Sequence, residues 1–216
     1  MKGMRKIGIT GTIGAGKSFV SSLLRERGYT VLDTDRLVHE LYRDCKELRA
    51  ELAEAFGPEC LTEGGVNRAF FVERAFTDKS IRNKLESTVY PYLTQAVRDF
   101  FDEPAGNVAG NGAGNELPAG TVAGNELPRF LEAALLSRVP EIVGMLDEIW
   151  IVDAPEWTRL ERLVARGMAP EDAKRRTLDQ AGVCNAARFP GKKLHTIENS
   201  KETQSLNRQL DSLLGG

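Results

Sequence analysis

The stretch GITGTIGAGKS, residues 8 to 18, restricts the fold of this chain more than any other part of it. An apolar run from Lys6 to Thr10 leads in and reads as a short buried strand. Gly11, Thr12, Ile13, Gly14, Ala15, Gly16, Lys17 and Ser18 then satisfy the spacing GxxxxGK[ST]. Phe19, Val20, Leu23 and Leu24 follow with helical spacing as far as Gly28, a residue suited to ending a helix. Strand, glycine loop and helix in this order imply an α/β chain in which helices cover a mainly parallel, doubly wound sheet.

The residue types have a direct physical meaning. Glycines let the backbone reach positive φ and turn several N–H groups toward one anion. The start of the helix near Gly16 adds a positive dipole end worth about 0.3–1 kcal/mol to a bound charge. Lys17 has the reach for β- and γ-phosphates, and the Ser18 hydroxyl can ligate a Mg²⁺ that bridges them. A glycine turn that only packs a helix on a sheet leaves Lys17 and Ser18 unexplained.

The rest of the chain sets the scale. At 216 residues it suits one domain with a small inserted subdomain, and a net charge of −2 supplies no global field for nucleic acid or an anionic membrane. No apolar run approaches the roughly 20 residues of a membrane span, and MKGMRKIGIT carries no signal-peptide core, so a cytoplasmic location is expected. Cys45, Cys60 and Cys184 are widely spaced and form no CxxC or Cys/His pair, which predicts reduced, structural thiols and no zinc site.

After Gly28, Tyr29 to Leu32 reads as a second strand, with Asp33 and Asp35 at its carboxyl end before a helix that carries Leu37, Val38, Leu41 and Tyr42 on one face. Ligands of open α/β sheets gather at such ends. An ionised Asp there can orient an acceptor hydroxyl and take its proton. The same spacing also fits a helix with one Asp as cap and the other solvated, and Asp35 itself is eligible as the N-cap.

Taken in order, several segments resemble the dephospho-coenzyme A kinase family of P-loop kinases. TGTIGAGKS is similar to that family's TGGIGSGKS loop, VLDTDRLVHEL to its V-I-D-A-D-x-I-A-[RH]-x-L, and GVNRAFFVERAF to its D-R-x-x-L-x-x-x-V-F segment. IWIVDAP, RLERLVARGMAPEDAKRRTLDQ and HTIENS resemble its later strand, its lid helices and its closing strand. The resemblance implies transfer of the ATP γ-phosphoryl group to the ribose 3′-hydroxyl of dephospho-CoA, with ATP and Mg²⁺ as cofactors and no nucleic-acid or membrane partner. By it, Asp35 is the base, Lys17 and Arg162 complete the catalytic set, and Ser18 holds the metal. The nucleotide-binding set runs from Gly11 through Phe19 and includes the lid residue Arg166 and Asn199 of the closing strand; Arg176 and Gln180 sit on the following lid helix.

The lid carries its own signal. Arg159, Arg162 and Arg166 recur at i, i+3 and i+7, on one helix face. Residues 156 to 193 hold nine Lys/Arg against five Asp/Glu, a local +4. Glu156 can pair with Arg159, but Arg162 and Arg166 have no acid three or four residues away. Two such guanidiniums repel each other unless an anion joins them, which suits phosphate.

The chain departs from the family at Tyr90-Pro91, where His-Pro is usual, at Asn67, which replaces an acid, and at Glu132, Ala133, Ala134, Leu135 and Leu136, which replace D-x-PLL. These positions belong to the acceptor side. Glu132 remains available as an acidic partner for Mg²⁺. Helical spacing over Lys46 to Phe56 and Lys79 to Asp102, the second broken before Pro91, predicts a helical acceptor-binding insertion at about 36–103. A flexible low-complexity loop follows at 104–128, in which AGNELP occurs twice, and a lid at about 156–190. Rival functions are another small-molecule or nucleoside monophosphate kinase of the P-loop class, or a non-catalytic nucleotide-binding module. A guanine-reading N-K-x-D is not met, since NKLE at 83 to 86 ends in Glu.

Overall fold

The computed structural model of the chain describes residues 4–103, 127–180, 182–200 and 202–215. Apart from its last two residues, the expected low-complexity loop at 104–128 lies outside them. The chain divides into two compact units, residues 1–32 with 104–216, and residues 33–103.

The first unit is built on β1 (Lys6–Thr10), β2 (Thr30–Asp33, whose last residue falls at the division), β5 (Arg129–Glu132), β6 (Glu148–Asp153) and β7 (Lys193–Glu198). Their order in the sheet is β2-β5-β1-β6-β7. Central β1 pairs in parallel with β5, Ile7 opposite Phe130, and with β6, Ile9 opposite Trp150, while β6 pairs in parallel with β7, Trp150 opposite His195. A central strand covered on both faces is buried at successive positions, and Ile7, Gly8, Ile9 and Thr10 of β1 are all buried. Helix α1 (Lys17–Glu26) adds Val20 and Leu24 to this core, and α9 (Thr203–Leu214) adds Leu206 and Leu210. Phe130 meets Trp150 at a steep angle, with ring centroids 5.2 Å apart, and meets Tyr29 edge to face at 5.6 Å. The remaining helices of this unit are α6 (Pro140–Met145), α7 (Glu156–Ala165) and α8 (Pro170–Asp179).

The second unit contains α2 (Thr34–Asp44), α3 (Lys46–Phe56), an antiparallel pair β3 (Leu61–Thr62) and β4 (Gly65–Val66), α4 (Arg68–Thr77) and α5 (Lys79–Asp102). Its core joins Leu48, Leu52, Cys60, Phe71 and Val89, with Phe56 set edge-on to Phe71 at 5.0 Å. The expected break before Pro91 does not occur. Helix α5 runs through Pro91 without interruption. Proline removes one intrahelical hydrogen bond, but Val89, Leu93, Val97 and Phe101 are buried along one stripe on both sides of it, and that continuous burial outweighs the lost bond.

The cysteines are free, as expected. Cys45 Sγ accepts from Leu48 N at 3.5 Å and caps α3, while Cys60 lies in the core of the second unit.

Candidate active site

The loop after β1 has the backbone that its glycines predict. Gly14 and Gly16 take φ values of 78° and 96°, and Gly16 is the N-cap of α1. A side chain at Gly16 would run into Asn199 Nδ2, and one at Gly11 into the carbonyl of Val152, so the loop admits no Cβ at either position. No side chain caps α1 and no acid stands in its first turn. The first N–H groups of a helix have no intrahelical acceptor, so this end is left open to an external anion. Lys17 Nζ is held against the loop by the carbonyls of Gly11 (2.9 Å) and Thr12 (3.5 Å).

Ser18 Oγ donates to Glu132 Oε1 at 2.8 Å, which joins the loop to the end of β5. Glu132 is only 6% exposed, and its second oxygen is buried with no hydrogen-bond partner. An orphaned carboxylate oxygen of this kind costs about 1–3 kcal/mol. Among the described residues, no three His, Cys, Asp or Glu side chains converge as a metal cage. One hydroxyl and one carboxylate beside a phosphate cradle suit Mg²⁺, which takes few protein ligands and completes its shell with water and substrate phosphates.

Four side chains brace the loop. Arg162 Nη1 donates to Gly14 O (3.3 Å) and Ala15 O (3.2 Å), and its Nη2 donates to Asn199 O (2.8 Å). Asn199, buried just past β7, donates from Nδ2 to Ala15 O at 2.8 Å and from its backbone N to Asp153 O at 2.7 Å. Arg159 Nη1 donates to Thr12 Oγ1 at 2.8 Å, and Ile13 N donates to Gln180 Oε1 at 2.7 Å. Three of the five N–H donors of Arg162 are thereby committed.

The expected arginine face is only partly realised. Arg159 and Arg162 reach the loop, whereas Arg166 stands at the C-cap of α7, its side chain exposed and with no polar partner among the described residues. Arg166 N still donates to Arg162 O at 3.3 Å, so the residue keeps its helical position and only its side chain stays in solvent. Arg159 bonds to Thr12, and the pair with Glu156 that the spacing allowed is not formed. Phe19, next to Ser18, is 43% exposed.

The two aspartates after β2 are now distinguished. Asp33 is the N-cap of α2, and its Oδ1 accepts from Asp35 N (2.9 Å) and Arg36 N (3.1 Å). Asp35 occupies the first turn, exposed, and its carboxylate has no partner among the described residues. Of the acceptor-side departures, Asn67 caps α4 by accepting from Phe70 N at 3.3 Å, a role that an acid fills equally well.

Sequence spacing gave no access to the bonds from Arg159 and Gln180, because they join residues 147 and 167 apart. Nor did it reveal that Cys184 lies beside the loop. Burial pushes the Cys184 thiol up, against the opposing influence of the Thr10 hydroxyl and the Lys17 ammonium.

Known proteins resemble this chain in sequence and fold. The profile of the dephospho-CoA kinase family matches residues 5–106. A dephospho-CoA kinase of Corynebacterium jeikeium is 31% identical over 217 residues, covering 99% of this chain and all of the relative. One from Staphylococcus aureus is 29% identical over 210 residues, covering 96% of this chain and 91% of the relative. Among solved structures, TT1252 from Thermus thermophilus superposes with a TM-score of 0.72 at 29% identity, over 99% of this chain and 98% of the other. A dephospho-CoA kinase from Campylobacter jejuni shares the fold, with a TM-score of 0.59 at 16% identity, over 97% of this chain and 95% of the other.

Proposed function

This chain belongs to the dephospho-CoA kinase family and phosphorylates dephospho-CoA to coenzyme A, and we propose that its own residues divide the work as follows. The amides of Gly11 to Phe19 and the Lys17 ammonium hold the phosphates of ATP. Ser18 and Glu132 would hold a Mg²⁺ ion, which would neutralise charge on the phosphates. Asp35 accepts the proton of the ribose 3′-hydroxyl as that oxygen bonds to the γ-phosphorus and ADP departs, so one P–O bond forms and one breaks. The two uncommitted donors of Arg162 face the charge that develops on the transferred group, Arg166 joins them when nucleotide is bound, and Asn199 keeps the loop open.

The observation that carries this reading is the Ser18–Glu132 pair, in which a nearly buried carboxylate presents an unsatisfied oxygen beside an uncapped helix start. The capping of α2 by Asp33 adds support, since it leaves Asp35 uncommitted. No observation favours a different acceptor. Among the described residues no helix is long and apolar enough to cross a membrane, and we take the cytoplasm, where ATP is available, as the enzyme's location.

The test supplies the purified protein with Mg-ATP and dephospho-CoA and measures coenzyme A and ADP, which are expected in equal amounts. Turnover of ATP that ignores dephospho-CoA overturns the reading.

A further inference from the structure

The phosphoryl transfer described above gives no part to Arg159, although its side chain and its backbone both reach the glycine loop. The residue lies in the first turns of α7, and its Nη1 donates to Thr12 Oγ1 at 2.8 Å. Its carbonyl sits so close to Gly14 that a Cβ there would come within 2.7 Å of it. All of these residues belong to the first unit. Thr12 stands where the loop it resembles, TGGIGSGKS, has a glycine, and glycine has no hydroxyl to offer, so the bond belongs to this chain's own sequence.

The carbonyl of the same threonine has two further partners. It accepts from Ala15 N at 3.2 Å and from Lys17 Nζ at 3.5 Å, and the Lys17 ammonium also donates to Gly11 O at 2.9 Å. Thr12 thus carries a guanidinium on its hydroxyl and the ammonium of the loop on its carbonyl. Ile13, next in the chain, is fixed through its N–H by Gln180. With Ile13 held, the bond from Arg159 removes the freedom left to the Thr12 peptide, and with it the freedom of the ammonium to wander.

The charge of Arg159 is not neutralised by the protein. Glu156, one turn earlier, stands exposed and does not pair with it, and Arg159 Nε is buried with no hydrogen-bond partner. A half-buried cation without a carboxylate, placed on the same residue as a second cation, weakens the empty fold, whereas a bound phosphate chain supplies the missing counter-charge. The arrangement is therefore organised for the liganded state.

We propose that Arg159 is a positioning residue for phosphoryl transfer, an inference that rests on the reading of the loop as the ATP site. By holding the Thr12 hydroxyl it fixes the peptide whose carbonyl aims Lys17 at the phosphates, and it touches no reacting atom itself. Its effect falls on the rate of transfer and spares the affinity for nucleotide, because the carbonyls of Gly14 and Ala15 are anchored independently by Arg162 and Asn199.

Four variants test this: Arg159→Ala, Thr12→Val, the two combined, and Thr12→Ser. Rates of coenzyme A formation are referred to the number of sites that Mg-ADP titrates, so that unfolded protein is not counted. Each single deletion is expected to lower kcat about tenfold and the combination no further, since both delete one contact, while Kd for Mg-ADP stays within about threefold. Thr12→Ser, which returns the hydroxyl, recovers most of the rate that Thr12→Val loses. In the free proteins the Ala15 and Lys17 amide NMR signals move alike in Arg159→Ala and Thr12→Val. A loss of about a hundredfold in the combined variant, no recovery in Thr12→Ser, or amide shifts that differ between the two deletions overturns the proposal. So does a Kd for Mg-ADP that rises as far as kcat falls, which makes Arg159 a direct nucleotide ligand. Wild-type protein that forms no coenzyme A overturns the functional reading itself; wild-type turnover that Arg159→Ala leaves intact overturns this inference alone.

Discussion

Arg162 spends three donors on the glycine loop and its brace, whereas the carboxylate of Asp35, in the second unit, accepts a hydrogen bond from no described residue. The two candidate catalytic groups are thus prepared in opposite ways. In the first unit the functional backbone is tied by bonds that cross most of the chain, so the phosphate cradle is preorganised and little ordering remains when nucleotide arrives. In the second unit, one aspartate takes the structural duty of capping and leaves its neighbour with its acceptor capacity intact. Phosphate geometry is common to every turnover and benefits from rigidity. A base has to meet an incoming hydroxyl, and an oxygen already bonded elsewhere first gives up that bond.

The largest expected effect comes from Asp35→Asn, which should lower kcat by about 10²- to 10⁴-fold with the Kd for ATP unchanged. Steady-state kinetics beside nucleotide titration read both, and weakened ATP binding would break the division drawn above. Removing the brace with Asn199→Ala should lower kcat/KM for ATP by about 10²-fold, the scale of a misplaced reacting group, and leave KM for dephospho-CoA alone. An equal rise in both KM values would show that the brace serves the whole molecule. Glu132→Gln sharpens the contrast, because its effect should appear as a roughly 10- to 100-fold higher Mg²⁺ concentration for half-maximal rate, with the rate restored by excess metal.

Two changes in the second unit should touch stability and spare the chemistry. Asp33→Ala removes the cap of α2 and should cost about 1 kcal/mol, read from the denaturant midpoint. The smallest effect belongs to Tyr92, whose hydroxyl donates to Glu51 at 2.6 Å, a bond that pushes its pKa from 10.0 up to about 12. A raised acid of this type is stabilising in full below pH 10, and its contribution disappears as pH climbs through 12. Phenolate absorbance should show one tyrosine titrating near the upper value, missing in Tyr92→Phe, with turnover near neutrality unaffected.

Much of this could be read from the residues in order, and the reason is locality. β1, α1, α3 and the capping pair after β2 are specified by neighbours a few positions away, so Lys6–Thr10 and Lys46–Phe56 emerge with the bounds that periodicity predicts. The strand expected at residues 29 to 32 appears one residue later, as Thr30–Asp33. Local rules misjudged Pro91, where tertiary burial carries α5 through a residue that alone argues for a break. They also could not tell whether the arginines of α7 meet solvent, acid or ligand, because their partners Thr12, Gly14 and Ala15 lie far away in the chain.

The strand order has a consequence for how the molecule is made. β1 and β2 are the first strands synthesised, yet they are not neighbours; every pairing in the five-stranded sheet involves β5, β6 or β7. The scaffold beneath the glycine loop therefore cannot begin to close until residue 129 has left the ribosome, while residues 33 to 103 already contain a core of their own. A nascent chain that ends before that point has the residues of the second unit's core but no partner strand for β1 or β2.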